Sequence, residues 1–167
     1  MAVSLSDQVN TRRLVAVANS KVEYEDVAGS LVAITGATDV DTTDQLVMFE
    51  AFQKAIIVNG AILRVADFIN TKIDLGSGNE LTDPPAKGDI LTQTTSSAKM
   101  VVDFVDTTKR YIYGYTTTGT FVTTAGYTLT SDDATATMNP ATAPKPNVVS
   151  QASTMPHWYN YTTYPDI

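Results

Sequence analysis

The sequence predicts an all-β protein, and three observations carry that expectation. Thr, Tyr, Val and Ile are abundant, with 26 Thr and 8 Tyr in 167 residues. These side chains are stiff or broad at Cβ and fit the pleated surface of a strand. Charged residues make up only 17% of the chain, whereas exposed helix faces are normally filled with Glu, Lys, Ala and Leu. Apolar residues recur at alternate positions in short runs separated by Asn, Gly, Ser and Thr, which is the strand-and-turn period.

The first such run is Leu14 to Tyr24, LVAVANSKVEY. Val15 and Val17 alternate with small residues, Asn19-Ser20 supplies a turn, and Val22 and Tyr24 alternate with Lys21, Glu23 and Glu25. This predicts a hairpin with one wet face. Ala55 to Asp67, AIIVNGAILRVAD, repeats the pattern about 40 residues later. Here Asn59-Gly60 predicts a type I′ turn, because that turn needs positive φ at both central positions. Asn19 and Asn59 take matching places, so residues 1–73 read as two β-meander repeats at a propeller-like spacing. Between them, residues 46–53 admit a strand or a helix. The strand is preferred, closing in a turn at Gln53-Lys54, because the preceding repeat has strand text at the same place.

Residues 74–87 contain Gly76, Gly78, Pro84 and Pro85 and read as a linker. Residues 88–138 then predict a small barrel-like or sandwich unit of five strands. GDILTQ, KMVVDFVD and KRYIYGY are its clearest strands, with polar turns at Thr94–Ser97 and Thr107-Thr108 and closing text at Phe121 and Tyr127 to Thr130.

From residue 139 to 167 the character changes. Five of the seven prolines fall here, and only Lys145 and Asp166 carry charge. Proline fixes φ and removes a ladder donor, so this stretch predicts an extended arm outside any sheet. Its end carries Pro156, Trp158, Tyr159, Tyr161 and Tyr164, an aromatic density that suits burial against a surface. These five residues are the candidate docking set. The remaining body, without the arm, is expected to fold by itself.

Chemistry-bearing patterns are sparse. There is no cysteine and a single histidine, His157, which leaves no thiolate zinc site, no Cys nucleophile and no His-rich metal centre. No catalytic residues and no cofactor are expected. Asp39, Asp41 and Asp44 are weak calcium candidates, since hard carboxylate oxygens at close spacing suit that ion, but the Gly and terminal Glu of an EF-hand loop are missing. Asp103 and Asp106 lie on one strand text and are expected to face opposite sides, unlike a glycosidase pair. The formal charge of −7 and the pI near 4.5 disfavour binding nucleic acid through its phosphates. No apolar run approaches the roughly 18 residues of a membrane helix, and the N-terminal text lacks the order of a signal peptide. Neither a nucleic-acid nor a membrane partner is expected.

The residues also resemble a family. MFEAFQKAIIVNGAILRVADF resembles repeated strand–Asn-Gly–strand text of β-propeller-bearing, nozzle-type tail proteins of tailed bacteriophages. AKGDILTQTTSSAKMVVDFV followed by YIYGYTTTGTF is similar to a small-barrel module of phage virion proteins, and MPHWYNYTTYPD looks like text that precedes a propeller body. Together these stretches cover about residues 12–167. The resemblance implies a non-enzymatic structural virion component in the tail or neck, assembled in the bacterial host cytoplasm, whose partners are other virion proteins and copies of itself. One departure is plain: a propeller needs at least four blades, and this chain has text for two. It reads as a small relative, a protein that completes its sheets with neighbours' strands, or a piece of a longer tail protein. A capsid decoration or cement protein is the first alternative, and a carbohydrate-binding module with stacking aromatics is the second.

Overall fold

A computed structural model describes residues 2–6, 12–34, 40, 43–60, 62–138, 149–153 and 156–160. Among them there is no helix, and the fold is all-β. Strands fall at β1 (Ala2–Ser6), β2 (Arg12–Ala18), β3 (Lys21–Glu25), β4 (Leu31–Ala33), β5 (Val47–Ala51), β6 (Lys54–Val58) and β7 (Leu63–Asp67). They continue as β8 (Thr71–Asp74), β9 (Ile90–Gln93), β10 (Lys99–Val105), β11 (Tyr111–Thr118), β12 (Leu129–Ser131), β13 (Gln151–Ser153) and β14 (His157–Asn160). The chain forms two compact units, residues 1–69 with 155–167, and residues 70–154.

The first unit holds two four-stranded antiparallel sheets, ordered β1-β2-β3-β4 and β14-β7-β6-β5. Period-2 alternation explains the packing. Val15 and Tyr24 are register partners, as are Val17 and Val22, so these four share one face. That face joins Ile34, Met48, Ala55, Ile57, Ala66 and Phe68 in one core cluster. Tyr24 meets Phe68 edge-on, with ring centroids 5.5 Å apart.

The Asn19-Ser20 turn is present, with φ of 49° and 62°. Residues 46–53 form strand and turn, but the turn falls one residue earlier than expected, at Phe52-Gln53. Asn59-Gly60 corrects a sequence expectation. Val58 pairs with Leu63, which leaves four residues in the loop, and Gly60 is outside the left-handed region. The Asn59 side chain instead accepts the Ile62 N–H at 2.9 Å. The two-residue turn with positive φ lies between β5 and β6, where Ala51 pairs with Lys54 and Phe52 and Gln53 have φ of 52° and 58°. Asn19 and Asn59 therefore do different work.

The second unit is a curled half-barrel of six antiparallel strands, ordered β12-β9-β10-β11-β8-β13. Its core gathers Ile73, Leu91, Met100, Val102, Ile112 and Leu129 with loop residues Leu75, Leu81, Phe121 and Val149. Residues 74–87 are thus part of this unit, not a linker. Leu75 and Leu81 are buried, and their N–H groups bond the carbonyls of Arg110 and Lys109 at 3.2 and 3.0 Å. The glycines read as linker signals serve turns instead, with φ of 87° at Gly76 and 81° at Gly78.

Residues 88–138 contribute four strands to the half-barrel, while β8 and β13 come from outside that range. Gly114 is required where β11 approaches β10, because a Cβ there would lie 2.5 Å from the Val101 carbonyl oxygen. The register shifts between Val102 and Phe104. That bulge turns Phe104 away from the core face occupied by Val102 and onto the face of Tyr113.

The arm also differs from expectation where it is described. Residues 151–153 pair with β8 and residues 157–160 pair with β7. Each segment is the outermost strand of its sheet, and neither contains a proline, so each keeps its ladder donors. Val149 belongs to one core and Trp158 packs against the other, so removing 139–167 takes buried side chains from both units.

Candidate functional site

Strand β14 carries two of the docking candidates, Trp158 and Tyr159. His157 stands opposite Asp67, Trp158 opposite Ala66, and Tyr159 opposite Val65. Lys54 is the partner of Asp67 on the other side, so Lys54, Asp67 and His157 form one rung on one face. Tyr159 lies on the same face, two residues along, and is 4% exposed. Its hydroxyl donates to the Asp67 carboxylate. Asp67 also accepts the Ile69 N–H at 2.7 Å and lies 4.0 Å from the Lys54 ammonium. A fully buried carboxylate held by a hydroxyl, an amide and a cation satisfies the requirement that buried charge be paired.

Pro156 and Trp158 are half-buried. Tyr161 and Tyr164 lie outside the described residues. Lys54, Asp67, His157 and Tyr159 are of types that move protons, and all four are buried.

Asn59 and Gly60 line an open groove of about 460 Å³ with Asp44, Gln45, Val47 and Val58. The Asp44 carboxylate comes within 3.5 Å of the position a Gly60 Cβ would take. Asp39 and Asp41 lie outside the described residues. Among the described residues no group of three or more His, Asp or Glu side chains could hold a metal ion.

Other carboxylates organise turns. Asp106 accepts the N–H groups of Thr108, Arg110 and Tyr111 and the Thr108 hydroxyl, all within 3.1 Å. Asp103 accepts from Asn70 Nδ2 at 2.8 Å and lies 3.4 Å from the Lys87 ammonium. The Asp132 carboxylate accepts the Ile90 N–H at 2.7 Å.

The half-barrel carries an aromatic–cation row that sequence reading passed over. Its signal in the sequence is the alternation Tyr111, Tyr113, Tyr115. On β11 the three rings share one face, beside Lys72 and Asp74, which pair with Tyr113 and Tyr111. Lys72 Nζ sits 4.0 Å from the Tyr111 ring centroid and the Arg110 guanidinium 4.9 Å from it. Tyr113 stacks on Phe104 at 4.4 Å with planes 9° apart. Arg110 grips Asp74 through two bonds of 2.6 and 2.8 Å. That bond to Arg110 holds the Asp74 carboxyl below the usual carboxylate range and raises the Arg110 guanidinium. Burial pushes the Lys72 ammonium down. Two rings of the row are thus already engaged by neighbours, and Tyr115 is the one that presents itself to solvent, 43% exposed.

No protein-family model, no curated protein and no solved structure matches this chain.

Proposed function

We propose that this chain is a non-enzymatic structural component of a tailed phage particle, placed in the tail or neck, whose segment beyond residue 139 docks on neighbouring subunits. The virion setting rests on the sequence resemblance. The mode of action rests on one observation: both strands of residues 149–160 join a sheet as its outermost member. Strand addition at an edge combines backbone hydrogen bonds with side-chain pockets and is a recurring way for chains to recognise one another. Trp158 and Tyr159 are the anchors, large apolar bodies with polar tips. A sugar-binding role draws less support, because Tyr111 is already faced by two cations and Tyr113 by Phe104.

Gold-labelled antibody against the protein, applied to intact particles and viewed by electron microscopy, tests this reading. Label confined to the tail or neck is the expected result. Label spread over the shell would replace the tail assignment with head decoration, and absence of label from every particle would refute a virion role.

A further inference from the structure

Building on the assembly reading, we infer that residues 149–160 form an exchangeable arm, with β13 and β14 of one copy completing the β8 and β7 edges of the next copy. Four observations lead there. Both strands are terminal in their sheets, so β12-β9-β10-β11-β8 and β7-β6-β5 stay continuous without them. An element of that kind makes the same contacts whether it comes from its own chain or from an identical one, which makes exchange a low-cost route to a closed assembly.

The arm also brings its own anchors. Val149 is buried in the half-barrel core, Ala152 packs against it, and Trp158 and Tyr159 seat in the first unit. The segment that joins it to the body, residues 139–148, reads NPATAPKPNV and holds three prolines. Proline-rich chain favours extension over collapse. Ten residues span up to roughly 33–36 Å, while a unit of about 85 residues is roughly 30 Å across. At full extension the connection is comparable to the width of one unit.

Charge supplies the last observation. Each copy carries a formal −7, yet residues 149–160 (VSQASTMPHWYN) contain no Asp, Glu, Lys or Arg. Acidic copies repel one another, and a neutral arm is the part of this chain that crosses between them without adding to that repulsion.

The cysteine-free sequence gives a clean test. Lys72 and Ser153 are direct partners across β8 and β13, and Arg64 and Asn160 are partners across β7 and β14. Two differently tagged chains, one with Lys72→Cys and the other with Ser153→Cys, are co-expressed and mildly oxidised. An Arg64→Cys and Asn160→Cys pair serves as the second readout, and Lys72→Cys with Thr130→Cys as the unopposed control. Exchange predicts a disulfide-linked species carrying both tags for each opposed pair and none for the control. It also predicts that a single chain with both Lys72→Cys and Ser153→Cys links into multimers.

Closure of that double variant within one chain, with the co-expressed singles unlinked, overturns the inference. Sedimentation of the same samples then separates the two claims. Oligomers lacking the cross-link mean that copies meet through another face, so assembly stands and exchange falls. A monomer at every concentration, closed within one chain, removes both.

Discussion

Gln93 is fully buried in the half-barrel, yet every polar atom of its amide is used. Its Nε2 donates to the Val122 carbonyl at 2.7 Å and reaches the Tyr127 carbonyl at 3.5 Å. Its Oε1 accepts the Val122 N–H at 2.9 Å and the Ser96 hydroxyl at 2.8 Å. One side chain therefore ties the loop at Phe121–Tyr127 and the turn at Thr94–Ser97 to the end of β9. Replacing it by Leu keeps the volume and removes three short bonds. At about 1 kcal/mol net per bond, the expected loss is roughly 3 kcal/mol. With a urea slope of about 2 kcal/mol/M for a small domain, the unfolding midpoint falls by roughly 1.5 M. Circular dichroism follows the transition, and Trp158, the only tryptophan, reports separately on the first unit. Gln93→Glu is the companion variant: it keeps both acceptor bonds but sets a carboxylate against the Val122 carbonyl, and is expected to be no more stable than the Leu variant at neutral pH. A Leu variant within about 0.5 kcal/mol of the parent would refute the reasoning, since that is the ordinary range for substitutions away from any special feature.

Further outcomes follow from other contacts. Tyr159→Phe removes a donor from the fully buried Asp67 carboxylate, and a bond to a charged group is worth about 1.5–3 kcal/mol; thermal unfolding should show a loss in that range, and an unchanged midpoint would mean that the hydroxyl is not a stabilising partner. Asp74 has its pKa lowered by Arg110, so its contribution is fully present above the unfolded-state value of about 4 and fades as pH falls through the lower folded value. Arg110→Gln should therefore be less stable than the parent at pH 6, with the gap narrowing as urea midpoints are taken at lower pH; a gap that widens in acid would contradict this sign. Phe52 and Gln53 hold left-handed φ at a hairpin tip where Phe52 is 81% exposed, and that conformation costs ordinary residues about 1–2 kcal/mol. Changing the pair to Asn-Gly should raise stability by about 1 kcal/mol in a urea titration, and a loss of stability would show that Phe52 makes a contact that outweighs the strain.

Much of the first unit was readable from its residues. Asn19-Ser20 sits between two alternating runs, and a short loop with residues tolerant of positive φ leaves the local chain few other choices. The strand at Val47–Ala51 was readable because the preceding repeat has strand text at the same place. Asn59-Gly60 misled for a reason local text does not contain. Register is set by every pair along a ladder: that of β6 against β7 leaves four residues between Val58 and Leu63, and that of β5 against β6 places the tight turn at Phe52-Gln53, two residues of no turn preference. The candidate site was harder still. Tyr159 and Trp158 stood out as aromatics seeking burial, but their partners Asp67 and Ala66 are about 92 residues away in sequence. Tyr113 and Tyr115 look alike in the text, and it is the bulge at Val102–Phe104 that sets a ring against Tyr113.

By itself the sequence determined that this protein is built from strands, and where most of them lie, because period-2 alternation and turn chemistry act between neighbours along the chain. Tertiary structure alone decided that residues 74–87 pack into the half-barrel, that β8 belongs with β11, and that the proline-flanked segments 151–153 and 157–160 close two sheets as edge strands. Those outcomes depend on which edges offer unpaired backbone groups and which cores still have space. Such quantities exist only once distant strands have come together.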